Sequence, residues 1–390
     1  MSTVRLEEVA LVNPRMVRGI DDDYEVAFLG MADVSEEGLT TEGTVRAYSE
    51  VRKGYTAFQD RDLLVAKITP CFENGKIAQA EIRREVGFGS TEFHVVRPKP
   101  EAVDPRYLLH FLRSPRVRVA GERQMTGSAG QKRVPAEFVR RLEVPLLPLS
   151  EQRRIAAILD EADALRAKVR AASSLLDEHA EADFETRFWD ATGHHRFPEH
   201  PVNELCDLAV DCVNKTATTV DGPTDFKMLR TTNVRNRAVD VSKVRFVEED
   251  VFAVWTRRVR PRAGDVIFTR EAPAGEAAVL RTDENVFLGQ RLMLYRTDES
   301  RLLPDFLVAA LMSPLMQRRF AENASGSTVK HLGVPYCRTM LIPTPPVVEQ
   351  RAFVSDLART RDVARAKLLQ LRQLDSLFSA LQHRAFRGEL

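Results

Sequence analysis

The sequence predicts an α+β fold built from two tandem copies of a mixed α/β domain, each followed by one long helix. Three observations carry this. Tyr107–Ser128 (YLLHFLRSPRVRVAGERQMTGS) and Phe306–Ser327 (FLVAALMSPLMQRRFAENASGS) lie 199 residues apart and share an apolar run, a Ser-Pro break, a second helical run and a Gly-Ser pair. Pro145-Leu-Leu-Pro-Leu-Ser-Glu-Gln-Arg153 is answered by Pro343-Thr-Pro-Pro-Val-Val-Glu-Gln-Arg351. Each Glu-Gln-Arg then opens a charged stretch rich in Leu and Ala. The repeat unit is a whole domain plus a helix, well above solenoid periods. The 390 residues therefore divide into a first domain (1–150), a central helix (151–190), a second domain (191–348) entered through a linker at 191–201, and a last helix (349–390).

Within the domains, Glu25–Leu29, Leu63–Ala66, Phe93–Val96, Asp265–Phe268 and Leu292–Tyr295 are short, β-prone and bounded by Gly, Pro or charge, which predicts strands. Residues 106–123 and 305–322 each predict a helix pair broken at Ser-Pro, because the residue before a proline avoids the helical region. From Glu151 to Asp190 there is neither Gly nor Pro, and Ser150 stands where an N-cap is expected. Ile155, Ile158, Ala162, Leu165, Val169, Ala172 and Leu176 alternate steps of three and four, the spacing of a coiled-coil seam. At 1.5 Å per residue this helix runs to about 60 Å. The second helix repeats the pattern less regularly, through Val354, Leu357, Ala364, Leu368, Leu371, Leu374, Phe378 and Leu381, with Arg361 at an expected apolar place. A half-apolar helix needs a partner in water. Six basic against ten acidic side chains in the first helix, and eight against five in the second, make each the natural partner of the other.

Composition narrows the function. The net charge of +1 is spread over two nearly neutral domains, so it neither requires nor excludes nucleic acid. Nothing approaches 18 consecutive apolar residues, which excludes a spanning helix. The start lacks a basic-then-apolar leader, which predicts a cytoplasmic protein. Cys71, Cys206, Cys212 and Cys337 are scattered, as reduced thiols rather than a zinc or disulfide framework. His194, His195 and His200 have no fourth clustered ligand and read as a solvated linker, with no metal expected.

Catalytic patterns are missing. The aromatic-ended Pro-Pro signature of amino-methyltransferases has no match, since Thr344-Pro-Pro-Val has the wrong flanks. Gly75-Lys76 is preceded by Pro70 where a phosphate-cradling loop needs Gly. Asp62 and Lys67 lack the second carboxylate of a nuclease, and Gly87-Phe-Gly89 lacks the third Gly of a dinucleotide site. A binding role is expected, with no catalytic residues.

The Pro148–Leu159 run (PLSEQRRIAAIL), its second copy after Pro346, and the ending Phe378-Ser-Ala-Leu-Gln-His-Arg-Ala-Phe-Arg-Gly-Glu-Leu390 resemble the specificity (S) subunit of type I restriction–modification enzymes over essentially the whole chain. The resemblance implies two target recognition domains, each reading half of a bipartite, gapped double-stranded DNA site. It also implies an antiparallel coiled coil with pseudo-two-fold symmetry that docks two methyltransferase subunits, with motor-nuclease subunits as further partners. Glu151, Gln152, Arg153, Glu349, Gln350 and Arg351 would mark that docking surface. The subunit itself takes no cofactor; S-adenosylmethionine is implied only for the methyltransferase. Phe353-Val354 departs from the usual Ile-Ala, against perfect equivalence of the two docking surfaces.

Base edges are read by Arg, Lys, Gln, Asn, Ser and Thr, whose donors and acceptors match them. Such residues cluster in loops at equivalent places: Lys67, Thr69, Lys76, Ser90, Thr91, Ser128, Gln131, Lys132 and Arg133 in the first copy, and Arg230, Asn233, Thr269, Arg270, Gln290, Arg291, Ser327, Lys330 and His331 in the second. The Arg257, Arg258, Arg260 and Arg262 cluster is a candidate for phosphate contacts. Two other readings stay open: a coiled-coil scaffold without DNA, and a DNA enzyme with degenerate motifs.

Overall fold

The computed structural model spans residues 1–390 and describes residues 2–15, 19–128, 130–190, 195–213, 215–326 and 330–390. The chain forms two compact units, Met1–Ala172 with Lys367–Leu390, and Ser173–Ala366. Each unit owns one end of each long helix.

In the first unit an antiparallel sheet runs in the order Ala10–Val12, Phe93–Pro98, Leu63–Ala66, Ile77–Gln79. Leu63–Ala66 is wholly apolar because both faces of the sheet are covered. Leu63 and Val65 point to a core with Tyr107, Leu108 and Phe111, while Leu64 and Ala66 point to Leu29, Phe58 and Phe93. A second sheet, in the order Thr44–Ala47, Glu25–Leu29, Val86–Gly89, Thr56–Gln59, contains one parallel pair.

The second unit repeats the main sheet in the same order with Cys206–Asp211, Leu292–Thr297, Val266–Thr269 and Ala277–Val279. Here Val266 and Phe268 face one core, and Ile267 the other. Its second sheet has three strands, and the corresponding pair, Phe226–Leu229 with Asn285–Leu288, is again parallel.

The expected helix pairs are present as Pro105–Arg113 with Pro115–Gln124, and Pro304–Leu311 with Pro314–Asn323. Each helix begins on proline, whose fixed φ and missing N–H suit the first turn. Asp104 caps the first by accepting from the N–H groups of Arg106 and Tyr107.

The long helices are Leu149–Phe188 and Val347–Ala385. Both start two residues earlier than expected, so Ser150 lies inside the first turn and is not the N-cap. Their pairing is antiparallel in each unit. In the first, Ile155 and Leu159 share a core with Phe378 and Ala385. In the second, Phe353 and Leu357 share one with Phe184 and Phe188. The expected seam fails at Leu165, which is 44% exposed. Arg166 is tucked in beside it, its guanidinium over the Phe378 ring at 4.4 Å and on the Asp375 carboxylate at 2.6 Å. Leu368 is exposed as well.

The stretch after the central helix is no solvated linker where it is described. The His195 side chain is 3% exposed, stacks on Trp189 and meets Glu199. Glu199–Pro201 then pairs with Leu341–Pro343, as Thr3–Arg5 pairs with Glu143–Pro145 in the first unit. His194 lies outside the described residues.

Candidate nucleic-acid interface

One loop cluster is built twice from the same backbone hydrogen bonds. In the first unit the Lys67 N–H donates to Glu92 O at 2.9 Å, and Lys67 O accepts from the Val134 N–H at 2.8 Å. In the second, the Arg270 N–H donates to Arg291 O at 2.9 Å, and Arg270 O accepts from the Leu332 N–H at 2.9 Å. The Gly-Ser loop is closed by reciprocal bonds between Thr126 and Arg133 in one copy, and between Ser325 and His331 in the other. Its glycine recurs for a backbone reason: Gly127 and Gly326 have φ of 131° and 110°, where a side chain is strained. The result is three adjoining segments per unit: the end of a central strand, the turn before the next strand, and the Gly-Ser loop.

Among the expected DNA contacts of the first unit, Ser128, Gln131, Lys132 and Thr91 are exposed. The rest are engaged within the fold. The Thr69 hydroxyl donates to Glu73 at 2.8 Å, and Lys76 Nζ to Met31 O at 3.1 Å. Ser90 Oγ accepts from the Glu92 N–H at 3.2 Å, and the half-buried Lys67 belongs to the framework through its backbone. Arg133 forks onto Glu92, Nε to Oε2 at 2.9 Å and a terminal nitrogen to Oε1 at 2.7 Å. That hydrogen bond holds the Glu92 carboxyl below its ordinary range.

In the second unit Gln290, Arg291 and Lys330 are exposed, and His331 is half-buried beside Ser325. Ser327 lies outside the described residues. Three expected contacts are corrected. Thr269 is fully buried, its hydroxyl donating to Pro273 O at 2.7 Å. Arg270 is 5% exposed and donates to Leu332 O at 3.2 Å. Asn233 is 3% exposed, accepting from the Arg230 N–H and donating to Asp240 O and Lys243 O. Arg230 is the half-buried start of that turn. Arg270 replaces a first-unit imidazole: His94 Nε2 meets Val134 O at 2.9 Å, the carbonyl equivalent to Leu332 O. Within the arginine cluster, Arg258 approaches Asp211 at 3.6 Å and Arg260 bonds the Asn285 side chain.

At the other end of the same strand pair each unit repeats one ion pair with a buried carboxylate. Asp62 takes both arms of Arg97 at 2.8 and 2.7 Å, and Asp265 both arms of Arg296 at 2.8 Å each. These carboxylates are 2% and 1% exposed, so Asp62 is committed to the fold. The pairs escaped sequence reading because their partners stand 35 and 31 residues apart.

At the helix starts, Gln152 and Gln350 are fully buried, which removes them from the expected docking surface. Gln152 accepts from the Asp104 N–H and donates to Ala102 O and Leu147 O; Gln350 accepts from the Leu303 N–H and donates to Arg301 O and Pro345 O. A signal was available: Gln152, Ile155 and Leu159 share a helix face, as do Gln350, Phe353 and Leu357. Arg153, Glu349 and Arg351 are exposed, and Glu151, its side chain 45% exposed, pairs with Arg154. Among the described residues no His, Cys, Asp and Glu group could hold a metal, and no helix is long and apolar enough to cross a membrane.

Comparison with known proteins returns one family. Residues 1–171 match the type I restriction modification DNA specificity domain. The type I restriction enzyme EcoAI specificity subunit of Escherichia coli is 42% identical over 152 residues, 38% of this chain and 26% of that protein. The EcoEI specificity subunit of the same organism is 41% identical over 155 residues, 39% of this chain and 26% of its own. The match thus spans about a quarter of those relatives' length. A chain solved in a study of complex assembly and conformational transition of a type I R-M system superposes with a TM-score of 0.63 at 19% identity, covering 100% of this chain and 98% of that one. That likeness is one of fold.

Proposed function

We propose that this chain, whose first 171 residues carry the type I restriction modification DNA specificity domain, is the DNA sequence-specificity subunit of a type I restriction–modification complex. Its two units would each read one half of a bipartite, gapped double-stranded site. The paired helices would dock two methyltransferase subunits, which bring S-adenosylmethionine and the chemistry, and motor-nuclease subunits would join them in the cytoplasm. The chain itself acts as a non-catalytic reader.

The observation that carries this reading is the duplicated loop cluster. Two copies of one framework, sharing four backbone hydrogen bonds, present different exposed side chains: Ser128, Gln131 and Lys132 in one, Gln290, Arg291 and Lys330 in the other. A scaffold has no need to hold the loop frame fixed while varying its exposed polar groups; a reader of two different half-sites does. For docking, Glu151, Arg153, Glu349 and Arg351 remain available at the helix starts.

The test is methylation-site sequencing in a host that expresses the chain with its methyltransferase partner. The expected result is one motif with two specified halves around a fixed unspecified gap. Methylation at a continuous motif, or none that depends on the chain, would contradict the reading.

A further inference from the structure

Both loop clusters hold an arginine against a carboxylate, yet they build that pair from different positions. In the first unit Arg133 comes from the Gly-Ser loop and Glu92 from the turn. In the second, Arg291 occupies the turn, at the backbone place of Glu92, and Glu271 stands at the strand end. The loop place of Arg133 is taken there by His331, and the strand-end place of Glu271 is Ile68 in the first unit. Descent from a common copy does not by itself preserve an ion pair whose members have changed segments.

The two pairs nonetheless match in exposure. The Arg133 side chain is 42% exposed and its Glu92 24%; for Arg291 and Glu271 the values are 44% and 24%. In each pair the guanidinium is the more exposed partner and the carboxylate the more covered one. Arg291 has a φ of 67°, a left-handed conformation that arginine seldom adopts, so the turn holds this residue against its own preference. An exposed ion pair adds little net stability, because solvent screens it and ordering two long side chains costs entropy. Stability alone therefore gives no reason to build it twice.

Resting on the specificity-subunit reading, we propose that Arg133 and Arg291 are the guanine-reading residues of the two half-sites, and that Glu92 and Glu271 are positioning residues that fix the guanidinium plane. Guanine is the base whose O6 and N7 accept both arms of an arginine in the major groove. A guanidinium already pinned by a carboxylate gives up less side-chain freedom on binding. The flanking exposed groups, Gln131 and Lys132 in one unit and Gln290 and Lys330 in the other, can contact neighbouring bases or phosphates.

The experiment uses the full chain assembled with its methyltransferase, read by methylation-site sequencing and by melting of the same complexes. Arg133→Ala should leave the gap and one half-site intact and erase preference for a single guanine in the other half, by about ten-fold or more. Arg291→Ala should do the same in the opposite half. Arg133→Lys should keep the positive charge yet lose most of that discrimination, because lysine has no fork. The exchange of Glu92→Arg with Arg133→Glu keeps a salt bridge but moves the guanidinium; it should leave the melting temperature within a degree or two and still change the guanine. A merely structural pair predicts an unchanged motif for that exchange. Uniformly weaker methylation at all sites would mark a phosphate contact and overturn the inference. An intact motif indifferent to both arginines would overturn it alone, whereas a wild-type complex without any bipartite motif would overturn the specificity-subunit reading with it.

Discussion

Around the paired long helices the first unit carries the denser ion-pair network and the second the denser aromatic cluster, although Arg187 also pairs with Asp356 across the helices of the second. In the first, Asp160 takes Arg106 and His110, Asp163 takes Arg113 and Arg166, and Asp375 takes Arg166 and Arg170. In the second, Phe184, Phe188, Phe306 and Phe353 form one cluster with ring centroids 5.0–6.2 Å apart. Phe353 occupies the helical place of Ile155, and each fills the core of its own unit. By contrast, the buried glutamines and the Asp–Arg pairs at the end of the main sheet are the same in both. Groups that satisfy buried backbone or a buried charge have no substitute at their place, whereas a helix interface can be rebuilt from any chemistry that fills it.

The largest expected effect breaks this comparison at its aromatic side. Phe188→Ala should destabilise the second unit by ~3–5 kcal/mol, since the ring is 1% exposed and packs against Phe184, Phe306 and Phe353. Hydrogen exchange should show the loss in residues 173–366 and leave the main sheet of the first unit protected. Equal loss in both units would mean that they unfold as one.

A smaller effect tests what the units share. Gln152→Ala and Gln350→Ala each leave one N–H and two carbonyls of partly buried backbone without their glutamine partner, and each should cost about 1–3 kcal/mol. Chemical denaturation followed by exchange should find the two losses similar and confined to their own units. A loss in one unit alone would end the claim that the glutamine staple is equivalent.

Acid should separate the units further. In the second, burial holds the His195 imidazole down to about 4 against the pull of Glu199. Between pH 6.5 and about 4 it is neutral in the fold and protonated when unfolded, so its share of stability is present above pH 6.5 and is lost as pH falls toward 4. In the first, burial pushes the Asp160 carboxyl up, but hydrogen bonds from His110 and Arg106 outweigh it and hold it at about 2. Its share is present above the ordinary 3.8 and is lost only as pH falls toward 2. The His195 share is on the order of 2 kcal/mol, and that of the one-third-exposed Asp160 is smaller after solvent screening. Exchange measured from pH 7 to 3 should show the second unit loosening first, and His195→Phe should abolish that step.

Much of this fold was legible because it is written in local patterns. Ser-Pro breaks located both helix pairs, and Leu63–Ala66 announced a strand, though not that both its faces are covered. The candidate site was legible as loops but not as side chains. Thr269, Arg270 and Asn233 read as DNA contacts because nothing nearby in sequence reveals that Pro273, Leu332 and Lys243 turn them inward. Leu165 looked like seam because its spacing is right, yet Arg166 reaches both a ring and a carboxylate on the other helix. Polar side chains follow long-range partners, and hydrophobic periodicity cannot see those.

The central claim is that each unit reads DNA on its own through one shared framework. The smallest changes test it most directly: Gln131→Ala with Lys132→Ala in one variant, and Lys330→Ala with His331→Ala in another, both assembled with the methyltransferase and read by methylation-site sequencing. Each pair should shift discrimination by ~1 kcal/mol at bases of a single half-site, a different half for each variant, with the gap unchanged. A variant that alters both half-sites together would show recognition shared between the units and contradict the account.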